Sequence, residues 1–143
     1  MLLALGHVER ATDFERGFPW AEIHQDGAWF ADPFDDDQAL VFHVRGKGLV
    51  IVSGCAHSGI INTVRYARKV TGIDTVYAVM GGFHMTGPLF EPIIGRTVAE
   101  MQSIAPDDLV PMHCTGWKST HAFAAAMPDQ FLMTSGGTRF HFA

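Results

Sequence analysis

Three histidines of this chain recur in one setting. In IVSGCAHSG, residues 51–59, an apolar run ends at Ser53-Gly54 and delivers Cys55 and His57. In AVMGGFHMTG, residues 78–87, another run ends at Gly81-Gly82 and delivers His84. In LVPMHCTGW, residues 109–117, a third delivers His113 with Cys114 beside it. Imidazoles and thiols are the donors of zinc-type sites, and an imidazole titrating near neutral pH serves as a general acid or base. Each histidine alone has a plainer account as a hydrogen-bonded loop residue, and GGFHM reads equally as a tight turn with Phe83 packed inward. Three in the same slot favour a cluster.

Such a cluster requires the three runs to be neighbouring strands that point the same way. Gln38 to Arg45 and Leu49 to Ser53 read as strands joined at Gly46-Lys47-Gly48, a short glycine turn suited to a hairpin. Ser58 is placed to cap a helix over about 59–70, with Ile60, Val64 and Ala67 on one face and Arg65, Arg68 and Lys69 near its negative end. Gly72 stops it. Asp74 to Met80 is a β-branched run, and Pro92 opens a second helix to Ile104 with a stripe of Ile94, Val98 and Met101. Leu109 to Met112 is a short strand, and Lys118 to Met127 a third helix. Gln130–Thr134 and Thr138–Phe142 read as closing strands. This alternation predicts an α/β layer with helices over one face of a sheet. Right-handed crossovers then bring all three histidines to one edge, where open α/β sheets bind ligands. The helix start at Ser58-Gly59 offers N–H groups to an anion.

Composition limits the remaining possibilities. A chain of 143 residues with 48% hydrophobic and 17% charged residues is expected to fold as one domain, irregular over residues 1–37 and βα over 38–143. A net charge of -5 without a basic run argues against a nucleic-acid surface. No apolar window is long enough for a membrane span or a signal peptide, and two cysteines make neither a CxxC pair nor a disulfide framework, so a cytoplasmic location is expected. Of the other histidines, His43 and His141 fall on predicted strands, His121 inside a helix, and His7 and His24 in the irregular segment. Asp35-Asp36-Asp37 reads as a solvated loop, with one aspartate within reach of a metal.

The stretches DDQALVFHVRGKGLVIVSGCAHSGIINTV, MGGFHM and LVPMHCTGW together resemble the metallo-β-lactamase fold superfamily. They are most similar to its subgroup named for a dihydropterin ribofuranosyl-aminobenzene phosphate synthase, and TDFERGFPW, residues 12–20, resembles that subgroup's middle segment. The resemblance implies a four-layer αββα sandwich with one or two metal ions, usually zinc, along the sheet edge. It implies His113 as the late histidine ligand, and Cys55 or His57, of which His57 is favoured, as the ligand from the first tip. The superfamily's H-x-H-x-D-H stretch, which supplies most of the ligands, is absent here. The resemblance therefore covers the carboxyl-terminal half, a mixed sheet with three covering helices and one bare apolar face. Zinc is expected to be weakly held or absent in this chain alone. A metal-dependent hydrolase of an ester, lactam or phosphoester, acting on a small molecule, is the first expectation. In it His84 or the Ser58-Gly59 helix start steadies developing negative charge. The alternative is an inactive, self-associating half-fold. Either way the bare face calls for a second copy or a separate amino-terminal half.

Overall fold

The computed structural model describes residues 1–142. Its main sheet has five strands: β1 (Leu2–Ala4), β4 (Ala39–Val44), β5 (Gly48–Ser53), β6 (Val76–Gly82) and β7 (Asp108–Met112), side by side in that order. β4 and β5 form the expected antiparallel hairpin, with Val44 paired to Gly48 across the turn at Gly46, which takes a left-handed φ of 77°. β5, β6 and β7 are parallel. The connections between them carry α1 (Ile60–Thr71) and α2 (Ile94–Ile104), and α3 (Trp117–Ala126) follows β7. A single 3-10 turn, Glu91–Ile93, leads into α2 with Pro92 at its start.

Register explains which side is buried. Cross-strand partners share a face, so Leu3, Val41, Ile51, Val79 and Leu109 form one row; the last four are buried in the core beneath the helices, and half-buried Leu3 packs against it. Ile60, Val64 and Ala67 of α1 and Val98 and Met101 of α2 meet that row. Ile94, expected in the same stripe, is only half-buried, and Thr97 and Ile104 are buried instead. On the opposite face, Val50, Ala78 and Val110 are buried, but Leu2, Leu40 and Phe42 remain exposed. The apolar face expected to be bare is thus open at its β1–β4 side.

Two departures from the expected elements have local causes. The segment before residue 38 contains a hairpin, β2 (Glu22–Gln25) and β3 (Ala28–Ala31), turned by Asp26 and Gly27, both with positive φ. All eight of its strand residues are exposed, so no buried face imposes an alternation a reader could detect. The closing segment forms no strands among the described residues. Leu109 donates its N–H to Gln130 and accepts from Leu132, and the ladder stops after that bridge. The next N–H needed from β7 would be that of Pro111, which has none. No helix among the described residues is long and apolar enough to cross a membrane.

Candidate functional site

The parallel run of β5, β6 and β7 pairs Ser53 with Gly81 and Gly81 with Pro111, so the three tips end at one level on one edge of the sheet. The middle tip carries no side chains at Gly81 and Gly82. A Cβ on Gly82 would lie 2.6 Å from the Gly54 carbonyl oxygen, 2.7 Å from Cys114 Sγ and 3.2 Å from Cys55 Cα. Only glycine lets the outer tips close over the middle one. Ser53 Oγ donates to the Gly82 carbonyl at 2.8 Å, and the Gly82 N–H donates to Gly54 at 3.0 Å, fastening them. Beyond the strands the backbone turns through a left-handed residue at every tip: Ala56 (φ 56°), His84 (φ 42°) and His113 (φ 52°). Such non-glycine conformations cost roughly 1 kcal/mol or more each and persist where surrounding contacts enforce them.

The three tips bring together Cys55, His84 and Cys114, whose donor atoms all lie within 4.8 Å of one another. The Cys114 thiol donates to the Cys55 carbonyl at 3.7 Å. Nδ1 of His84 is buried and has no hydrogen-bond partner among the described residues. Burial lowers the pKa of His84, with the neighbouring His57 adding to the effect, and burial pushes the Cys114 thiol up to about 11. Two thiols beside an imidazole with an unsatisfied nitrogen are a donor set suited to a borderline-soft divalent metal such as zinc.

His57 and His113, the histidines expected as ligands, flank this trio. The His57 ring stands 5.0 Å from that of His84, and its Nδ1 lies 3.6 Å from Asp37 Oδ1. His113 is exposed, near enough that a charge on it disfavours charging His84. Asp37 is the buried member of the aspartate run, held by the Ser58 N–H at 3.0 Å from its Oδ2, whereas Asp35 pairs with His7 at the surface. His24 packs at a tilt on Trp29, His121 stacks on Trp117, and His43 and His141 are exposed.

The helix start expected to receive an anion is already filled from within. Ser58 makes no side-chain cap and Gly59 is the N-cap residue. Glu15 reaches in from the preceding segment and accepts from the Ile61 N–H at 3.0 Å and the Asn62 N–H at 2.8 Å. A Cβ on Gly59 would collide with that carboxylate. Asn62 in turn binds the backbone of Ala11 and Thr12 through its side-chain oxygen, so the 11–15 strap is locked to α1. Burial raises Glu15 to about 7 against the opposing pull of the helix N–H groups.

Next to His57 and His84 is a cavity of about 380 Å³ whose wall includes Glu15, Arg16, Phe83, Met85, Phe90 and Thr97. Aromatic rings box the imidazoles: Phe18 packs edge-on to His84 at 4.6 Å and to His57 at 5.4 Å, Phe34 stands 5.0 Å from His57, and Phe90 stands 5.0 Å from His84. Phe18 and Phe34 come from the segment read as irregular, which therefore supplies one wall of the site.

The mixed five-stranded sheet with its three helices is a fold that this chain shares with a solved protein of the β-lactamase superfamily. It superposes with a TM-score of 0.85 on the crystal structure of a metal-dependent hydrolase of the β-lactamase superfamily, at 24% identity over 99% of this chain and 54% of the other. In sequence it is 34% identical to the 7,8-dihydropterin-6-methyl-4-(β-D-ribofuranosyl)-aminobenzene-5′-phosphate synthase of Methanocaldococcus jannaschii, over 91% of this chain and 45% of that protein. It is also 34% identical to an uncharacterised protein of the same organism, over 82% of this chain and 41% of that one. The chain thus spans about half the length of the relatives it matches. No family model matches it.

Proposed function

We propose that this chain is the substrate-pocket half of a metal-dependent hydrolase of the metallo-β-lactamase fold. The observation that supports this most directly is the convergence of three strand tips on His84, with its unpartnered Nδ1, beside an apolar cavity. A divalent ion such as zinc at the tips would supply Lewis acidity to a water and to the substrate's carbonyl or phosphoryl oxygen. Cys55, His57, His84, His113 and Cys114 are the side chains within its neighbourhood.

The chain's own residues account for binding and proton handling. His57 turns Nδ1 toward buried Asp37, which orients the ring and leaves Nε2 to take the proton of an attacking water. The water oxygen adds to the acyl or phosphoryl centre, the bond to the leaving group breaks, and the proton on His57 passes to the departing oxygen or nitrogen. Phe18, Phe34 and Phe90 keep bulk water from the imidazoles and offer flat apolar surface to a ring-bearing substrate. Arg16, at the exposed rim, offers a cation to an acidic substituent.

The synthase name of the sequence relative supports a second reading, in which the same pocket holds a phosphorylated ribosyl substrate for bond formation instead of hydrolysis. In both readings a second copy or an amino-terminal half packs on the Leu2, Leu40 and Phe42 side of the sheet. A panel of activated esters, lactams, lactones and phosphoesters, assayed with added zinc, tests the proposal. Turnover that falls at least tenfold in His57→Ala is expected; equal rates in the two proteins would remove His57 from the chemistry.

A further inference from the structure

We infer that Cys55, His84 and Cys114 form a thiolate-rich, three-ligand site for a single zinc-class ion, in which Cys114 takes the place that position 57 or 113 was expected to hold. The inference deepens the metal-dependent reading above and rests on it. Four features of the fold carry it.

The donors are already assembled. All three lie within 4.8 Å of one another, and around a tetrahedral ion bonded at about 2.0–2.3 Å neighbouring donors stand roughly 3.3–3.8 Å apart, so closure of an ångström or so completes the set. Room for the sulfurs is built into the backbone, since any side chain on Gly82 would press on Cys114 Sγ and Cys55 Cα. The His84 Nδ1 is buried without a partner among the described residues, a situation costing about 1–3 kcal/mol that ligation would remove. Finally, Ser53 and Gly82 tie the first tip to the second, and the Met85 N–H bonds the Cys114 carbonyl at 3.3 Å, tying the second to the third. The site therefore sits on coupled strand ends, which hold ligands in place better than free loops do.

Two sulfurs decide which metal. Thiolate donors favour zinc, cobalt and cadmium over magnesium and manganese, which prefer oxygen. Three protein ligands also leave a fourth position for water or substrate, the arrangement of catalytic zinc sites.

Cobalt(II) titration of the reduced 143-residue chain tests this, because cobalt bound to thiolates gives an intense near-ultraviolet charge-transfer band. One equivalent of cobalt with that band, lost in Cys55→Ser and in Cys114→Ser, kept in His57→Ala, and undisturbed by excess magnesium, is the expected result. The wild-type protein gives a second reading that requires no variant to fold: one equivalent of zinc should slow iodoacetamide labelling of both cysteines at least tenfold. Cobalt bound without the band, or lost only in His57→Ala or His113→Ala, would overturn the sulfur site while leaving a metal at the tips. No binding of either ion, with unprotected thiols, would overturn both readings.

Discussion

Glu15→Gln should change how stability depends on pH, and by an amount the structure sets. The Glu15 carboxyl is buried at 5% exposure against the α1 start, and burial raises its pKa from 4.5 to about 7. At ~1.4 kcal/mol per pKa unit, that difference corresponds to roughly 3 kcal/mol. Between the two values the folded chain holds a proton that the unfolded chain has released. The contribution is therefore fully present below pH 4.5 and is lost as the pH rises through 7. Glutamine keeps an oxygen to accept from Ile61 or Asn62 but does not titrate in this range. Urea unfolding of both proteins at half-unit steps from pH 4.5 to 8 isolates the effect, because other histidines and carboxylates cancel between them. The stability of wild type minus variant should fall by about 2–3 kcal/mol across the window, levelling off above 7. Parallel profiles, or a difference that grows with pH, would refute the claim that desolvation governs this carboxylate.

Other substitutions read out other parts of the fold. Gly82→Ala should cost about 1–3 kcal/mol in urea unfolding, since its Cβ has no space among Gly54, Cys55 and Cys114. Gly95→Ala, in α2 with open space around it, should instead stabilise by about 0.5–1 kcal/mol. Ile51→Ala should lose about 2–5 kcal/mol from the fully buried row, whereas Leu40→Ser, exposed on the open face, should lose under about 1 kcal/mol. In proton NMR of the metal-free protein, the His84 ring should titrate below 6.5, because burial and the neighbouring His57 disfavour its charge; a midpoint at or above that value would contradict the burial of its Nδ1.

Elements with a buried face were readable from their residues. The α1 stripe, the β4–β5 hairpin and the order of the parallel strands all follow from apolar spacing and glycine turns, and the structure has them within one or two residues of the expected bounds. The β2–β3 hairpin has no buried face, but Asp26-Gly27 was a usable turn signal between two apolar-containing stretches. The tail contains strand-forming residues and fails to pair for a reason lying on another strand, at Pro111. The Glu15 cap could not be read locally, because donor and acceptor are 46 residues apart; an acidic side chain from a distant strap took the place that Ser58 seemed suited to fill.

The edge on which the tips meet was legible, and Cys55 and His84 were named on it, whereas Cys114 was not among the expected site residues. Alternation along an extended strand puts neighbours on opposite sides, and carrying that rule past the tips puts His84 and Cys114 on one side and Cys55, His57 and His113 on the other. A left-handed residue breaks the alternation, and the structure has one at Ala56, at His84 and at His113. At the tips the Cys55 and Cys114 sulfurs stand beside His84, the His57 ring packs against His84 with its Nδ1 toward Asp37, and His113 faces solvent. Ordinary side chains seldom adopt that conformation; histidine does so more often than most, but the identity of alanine does not announce it. Gly82 sits among these turns, and its missing side chain is what lets Gly54, Cys55 and Cys114 stand so close to the middle tip.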